Sequence, residues 1–163
     1  MDTIIDLQKE TISKHLRAEI AKDWDAVYDT FVQGPNTFYD AVPLGIRLSG
    51  IQGVKDFHRS IHNAFPDFTV LVSGAYDTPG CSIREVTIAG THSGEYGGIP
   101  PSGNQVEVEV AVFFVFDTNA NPGKILVERV YYDNESVLRQ CRGETSAPTK
   151  IGLADMYSND MSL

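Results

Sequence analysis

Apolar residues recur at every third or fourth position through the first third of the chain: Ile12, Leu16, Ile20 and Trp24, then Val27, Tyr28 and Phe31. That period predicts helix. Asp25 suits the N-cap of a second helix ending near Gly34-Pro35. Thr37 to Val42 reads as a short strand. Gly50 to Gly53 leads into a third helix with Val54, Phe57, Ile61 and Phe65 on one stripe, stopped by Pro66.

After Pro66 the period changes to two. Phe68 to Ser73 is a strand, broken by the turn Asp77 to Gly80. Ser82 to His92 is the next, with Val86, Ile88, Gly90 and His92 on one side. Gln105 to Asp117 follows, and Asn119 to Gly123 turns it into a strand from Lys124 to Tyr132. A short helix begins at Asp133. Helices first and strands afterwards predict an α+β domain over residues 1–142, with helices covering one face of a curved antiparallel sheet. The tail, residues 143–163, is polar and unpatterned.

The strand from Gln105 to Asp117 bears on assembly. Val106, Val108, Val110, Val112, Phe114 and Phe116 form one apolar face. The opposite face opens polar at Gln105, Glu107 and Glu109, then turns apolar at Ala111, Phe113 and Val115. A strand apolar on both sides is covered on both sides. Helices cover one. A second subunit is the simplest cover for the other, making a homodimer through Ala111, Phe113 and Val115 the expectation; the chain's own tail is the alternative.

Composition narrows the function classes. The chain has 163 residues, 42% of them hydrophobic and 21% charged, as in globular proteins. Its net charge of −9 argues against nucleic acid or an anionic membrane as partner. Val110 to Phe116, the longest apolar run, is too short to span a bilayer. Asp2, Asp6, Lys9 and Glu10 interrupt any signal-like start, so the cytoplasm is the expected compartment. Cys81 and Cys141 form no disulfide frame or zinc pattern.

Candidate chemistry is sparse. GxSxG-type nucleophile motifs and phosphate-binding glycine loops are absent. His92 shares the face of Val86 and Ile88 and is carried inward, either to line a pocket or to hold the glycine-rich turn after it. Glu128 shares a face with Leu126, Val130 and Tyr132, while Arg129 lies on the other. Each face carries one charge, so parity leaves both orientations open; pairing with a basic residue on the outer face is preferred, because a lone buried charge is costly. His58 and His62 sit at i, i+4 on the third helix. Such a pair can ligate zinc, but a third ligand and an HExxH glutamate are missing from that helix, so a half-exposed polar edge is expected. Asp133 before a helix is a natural N-cap for the amide of Ser136.

Three segments together carry a resemblance: AFPDF (64–68), GTHSGEYGGIPPSG (90–103) and KILVERVYYDNESVLRQ (124–140). Over roughly residues 10–142 the chain resembles the SnoaL-like polyketide cyclases, within the nuclear-transport-factor-2-like superfamily. The resemblance implies a cone-shaped sheet and helices enclosing one pocket. It implies ring closure by aldol chemistry, with an acidic residue as acid/base and no metal or cofactor. Asp133 matches the family's acidic position, so the resemblance assigns it the proton transfer and makes His92 its companion. Tyr39, Trp24, His58, Glu128, Tyr132 and Tyr96, the last on a flap stiffened by Pro100-Pro101, are the expected substrate-binding residues. Two departures stand out: Val130 replaces a Trp frequent in relatives, and Val110 to Phe116 carries no titratable residue. The expected function is acid/base catalysis on an oxygenated, largely apolar carbonyl compound. A dehydratase, isomerase, epoxide hydrolase or non-enzymatic binding dimer is the alternative. An epoxide hydrolase would need Arg84 or Arg129 inward beside a carboxylate.

Overall fold

A computed structural model describes residues 3–148; the expected tail beyond 148 lies outside the described residues. Four helices, α1 (Ile4–Ala21), α2 (Trp24–Asp29), α3 (Gly50–Ala64) and α4 (Asn134–Cys141), accompany six strands. These are β1 (Phe38–Ala41), β2 (Ile46–Ser49), β3 (Thr69–Thr78), β4 (Cys81–Thr91), β5 (Gln105–Phe116) and β6 (Ile125–Tyr132). They form one curved, unclosed sheet in the order β2-β1-β6-β5-β4-β3. Neighbours run antiparallel except β1 and β6, which pair in parallel, Tyr39 opposite Glu128. Register shifts between Val72 and Gly74 and between Val115 and Phe116 help bend the sheet.

The first helical stripe does not run on through Trp24 as its spacing predicts. Lys22 takes a left-handed conformation (φ 60°), and its amide closes α1 onto Ala18 and Glu19. Asp23, not Asp25, then caps α2 by accepting from the amide of Ala26 at 3.1 Å. The turn swings Trp24 back over the sheet. β2 is an addition to the expected strands: a short, largely exposed edge whose only partner among the described residues is β1.

The concave face holds the core. Val106, Val110, Val112 and Phe114 of β5 are buried there under Ile12 and Leu16 of α1, with Val54 and Phe57 of α3 in the same core. On the convex face Ala111, Phe113 and Val115 stay half-buried, and Tyr131 of β6, 44% exposed, packs edge-on against Phe113. We propose that a second copy of the chain covers this face. A dimeric mass at micromolar concentration in analytical ultracentrifugation is the expected result. Phe113→Asp should shift it to monomer or destabilise it, because the carboxylate would be buried unpaired. A wild-type monomer overturns the proposal.

Candidate functional site

The helices and the concave face enclose a cavity of about 110 Å³. Its walls are mostly aliphatic and aromatic, and its ionisable groups gather at two places along β6.

The first is Glu128. Strand parity leaves its direction open and the cost of a lone buried charge favours the outside; the structure turns it inward, 4% exposed, on the cavity wall. Arg129, on the other face, bonds Asp40 at 2.8 Å, and Arg47 bonds the same carboxylate at 2.8 Å. The outer face of β6 at this point is thus held by Arg129, and among the described residues Glu128 pairs with no Lys or Arg there. The partners of Glu128 are histidines from two helices. His58 Nε2 lies 3.4 Å from Glu128 Oε2, and His15 Nε2 lies 3.7 Å from the same oxygen. His15 is fully buried and His58 nearly so. His58 is thus no half-exposed edge, and its companion is His15 of α1, not His62 one turn along α3.

Charge follows from these contacts. Burial works against ionising Glu128, but His58, then His15 and Tyr39, outweigh it and hold the carboxyl below its ordinary value. Burial likewise opposes a charged His58, but Glu128 and Glu19 outweigh it and raise the imidazole. Together they form an ion pair. Burial pushes His15 down to about 4 and leaves it neutral. Burial pushes Glu19, beside them on the wall and with 15% of its side chain exposed, up to about 7.

Aromatic rings hold this end in place. Trp24 stacks on the His58 ring (centroids 5.9 Å, 27°). Tyr39 lies flat on Phe57 at 3.9 Å and meets His58 edge-on at 5.4 Å.

The second polar place is phenolic. Tyr96 Oη lies 3.2 Å from Tyr132 Oη and donates to Asn134 Oδ1 at 2.7 Å. Tyr132 and Glu128 share the inner face of β6, four residues or about 13 Å apart at the strand rise of 3.3 Å. Tyr96 gets there through a tight turn: its backbone bonds Ile99 in both directions, and Gly97 and Gly98 between them both take positive φ (57° and 80°).

Trp24, Tyr39, His58, Tyr96, Glu128 and Tyr132 line the cavity. His92 and Asp133 do not, and the expected convergence of the two is not found. Asp133 is exposed and caps α4, accepting from the amide of Ser136 at 3.1 Å. Its position just past the end of β6 gives it to the helix. His92 is fully buried, but it packs on Phe65 and holds the turn. Its Nδ1 lies 2.9 Å from Ser102 Oγ and accepts from the Ser102 amide at 3.3 Å; its backbone bonds Asn104 and Gly103.

His15 and Glu19 went unseen in the sequence reading. The available signal was a polar residue on an apolar stripe: with Ile12 and Leu16, positions 15 and 19 complete the buried side of α1. His58 interrupts the stripe of α3 in the same way.

The profile of the SnoaL-like polyketide cyclase family matches residues 15–141. The chain belongs to that family. No curated protein matches it. Among solved structures, it is similar to a proposed SnoaL-like polyketide cyclase from Jannaschia sp. CCS1, at 19% identity and a TM-score of 0.75, over 86% of this chain and 95% of that one. A protein of ketosteroid isomerase-like fold from Catenulispora acidiphila aligns at 16% identity and TM-score 0.66, over 88% and 97%. An LEH-like epoxide hydrolase from M. tuberculosis aligns at 18% and 0.64, over 84% and 90%. At these identities the likeness is one of fold.

Within the SnoaL-like scaffold this chain has its own distribution of polar groups. The concave face of β5 carries none, and Val130 adds to the aliphatic wall. Arg84 bonds Asp77 at 3.0 Å, and neither Arg84 nor Arg129 lines the cavity, so the arginine–carboxylate arrangement of an epoxide hydrolase does not form there.

Two consequences are measurable. A Cβ on Gly94 would stand 2.0 Å from the carbonyl oxygen of Asn63, where the turn crosses the end of α3. Gly94→Ala should therefore cost roughly 1–3 kcal/mol in urea unfolding, as overpacking against fixed backbone does; a cost near zero would contradict the close crossing. The raised Glu19 means that the folded chain holds this proton more tightly than the unfolded chain, whose carboxyl titrates near 4.5. Its stabilising effect is complete below that value and lost as pH rises through about 7. Glu19→Gln should raise the melting temperature more at pH 8 than at pH 5. Equal shifts at both would mean a solvated carboxylate.

Proposed function

We propose that the protein is an acid/base enzyme of the polyketide-cyclase type, acting on an oxygenated, largely apolar carbonyl compound. The observation that carries the reading is Glu128: an ionised carboxylate on the wall of an apolar cavity, its Oε2 3.4 Å from His58 Nε2 and 3.7 Å from His15 Nε2. Such an oxygen is deprotonated and can accept a proton from carbon α to a carbonyl.

In the proposed step the C–H electron pair moves into the carbonyl to form an enolate, and the proton passes to Glu128. The enolate carbon attacks a second carbonyl of the same molecule, forming the new C–C bond and an alkoxide. Glu128 returns the proton. His58, an imidazolium 3.4 Å from Glu128, supplies positive charge beside the developing oxyanion. Tyr96 and Tyr132 would hold an oxygen of the substrate at the other end, which favours an elongated molecule with polar groups at both ends.

Incubating the enzyme with a 1,3-diketone in D2O and following deuterium incorporation by NMR tests the base directly. Glu128→Gln should lower the exchange rate by about 100-fold or more, the scale lost with a general base. If Asp133→Asn removes the exchange and Glu128→Gln does not, the assignment of the base is wrong. If wild-type protein binds the diketone without exchanging it, the site is a binding site only.

A further inference from the structure

His15 presents a lone pair to a carboxylate. Its Nδ1 lies 3.0 Å from Thr30 Oγ1, and that hydroxyl gives its own proton to the carbonyl of Val27 at 2.6 Å. Thr30 can therefore only accept from the ring, which fixes the proton on Nδ1 and leaves Nε2 bare. Nε2 faces Glu128 Oε2 at 3.7 Å and Glu19 Oε2 at 3.9 Å. A lone pair aimed at the ionised Glu128 is repulsive, and one shared cation satisfies both. His15, His58 and Glu128 are all buried, and each offers a ligand atom within 4.8 Å of the other two; His15 Nε2 has no hydrogen-bond partner among the described residues.

We propose that His15, His58 and Glu128 bind one divalent transition-metal ion of the zinc type. Bonds of about 2.0–2.2 Å to a tetrahedral ion place neighbouring donors about 3.4 Å apart. The two nitrogens stand 3.4 and 3.7 Å from the carboxylate oxygen, at or within a few tenths of an ångström of that spacing, and the ligand atoms all lie within 4.8 Å of one another. Two imidazoles with one carboxylate suit zinc and its neighbours rather than calcium or magnesium, which prefer oxygen. The Nδ1–H of His15 bound to Thr30 is the outer-shell bond that orients a metal-binding imidazole. His58 and Glu128 line the cavity whereas His15 lies behind them, so the fourth position opens on the cavity, with Glu19 at its edge. The i, i+4 pair of His58 and His62 lacks a third ligand on its own helix; these ligands come from α1, α3 and β6. The ion would take the oxygen assigned above as base, so metal binding and proton transfer exclude one another.

The test uses the full chain, stripped with EDTA and titrated with ZnCl2 by calorimetry and with CoCl2 by visible absorption. One ion per chain and an intense four-coordinate cobalt spectrum are expected, with a zinc-dependent rise in melting temperature. His15→Gln and His58→Gln should each weaken zinc binding by at least about 10-fold, while His62→Gln should leave it unchanged. Binding insensitive to His15→Gln but lost with His62→Gln, or a weak six-coordinate spectrum from an ion on surface carboxylates, overturns the proposal. Should the His15 and His58 variants fail to fold, anomalous diffraction at the zinc edge from wild-type crystals decides. A peak among the three atoms supports the site; a peak elsewhere, or none, rejects it.

Discussion

Glu128 places a carboxylate on the concave face of a curved sheet, and an ion there survives only with partners drawn from the elements that cover it. Leaving water costs such a group several kcal/mol even after relaxation. The partners are His58 of α3 and His15 of α1, so the ion ties both covering helices to one point on β6. Thr30, just past α2, fixes the His15 ring, and Trp24 and Tyr39 pin His58 from two sides. The register of three helices against the sheet is thereby tied to one charge.

The same arrangement makes the cavity asymmetric. One end is ionic, rigid and backed by buried histidine. The other is phenolic, closed by a turn whose two positive-φ glycines carry Tyr96 to Tyr132. Between them the walls are valine, isoleucine and phenylalanine, which fix no orientation but exclude water. Polar groups at the ends and apolar walls between them are what an elongated, oxygenated hydrocarbon needs for alignment.

Membership of the SnoaL-like family describes the scaffold more closely than the chemistry. The glycine-rich GTHSGEYGG segment builds a turn in this chain, with His92 and Ser102 holding its two sides together. The acidic residue before the last helix caps that helix. The ionisable groups of the cavity sit earlier on β6, at Glu128 and Tyr132, on the two long helices, and at Tyr39 and Tyr96. A cone lined by several elements can move its chemistry from one wall to another without changing its fold, because each wall needs only to present side chains to the same space.

Local pattern was enough for most of the architecture. Periods of 3.6 and 2 located α1, α3 and four of the strands, and the unbroken valine face of β5 identified the concave wall. β2 and the caps at Lys22 and Asp23 escaped, since an exposed four-residue edge leaves no burial pattern and a left-handed lysine has no sequence signature. For the site, the chain alone pointed inward at His92 correctly, yet could not say that the histidine stops behind the cavity wall. It could not choose a face for Glu128, because parity is symmetric and each face of β6 holds one charge. Nor could it join His15 to His58, 43 residues apart, since their common partner lies on a strand beyond both. What the sequence by itself determined is therefore whatever hydrophobic burial within one element enforces. What only the tertiary structure decided is where buried charge is compensated, because those partners come from elements that meet only after folding.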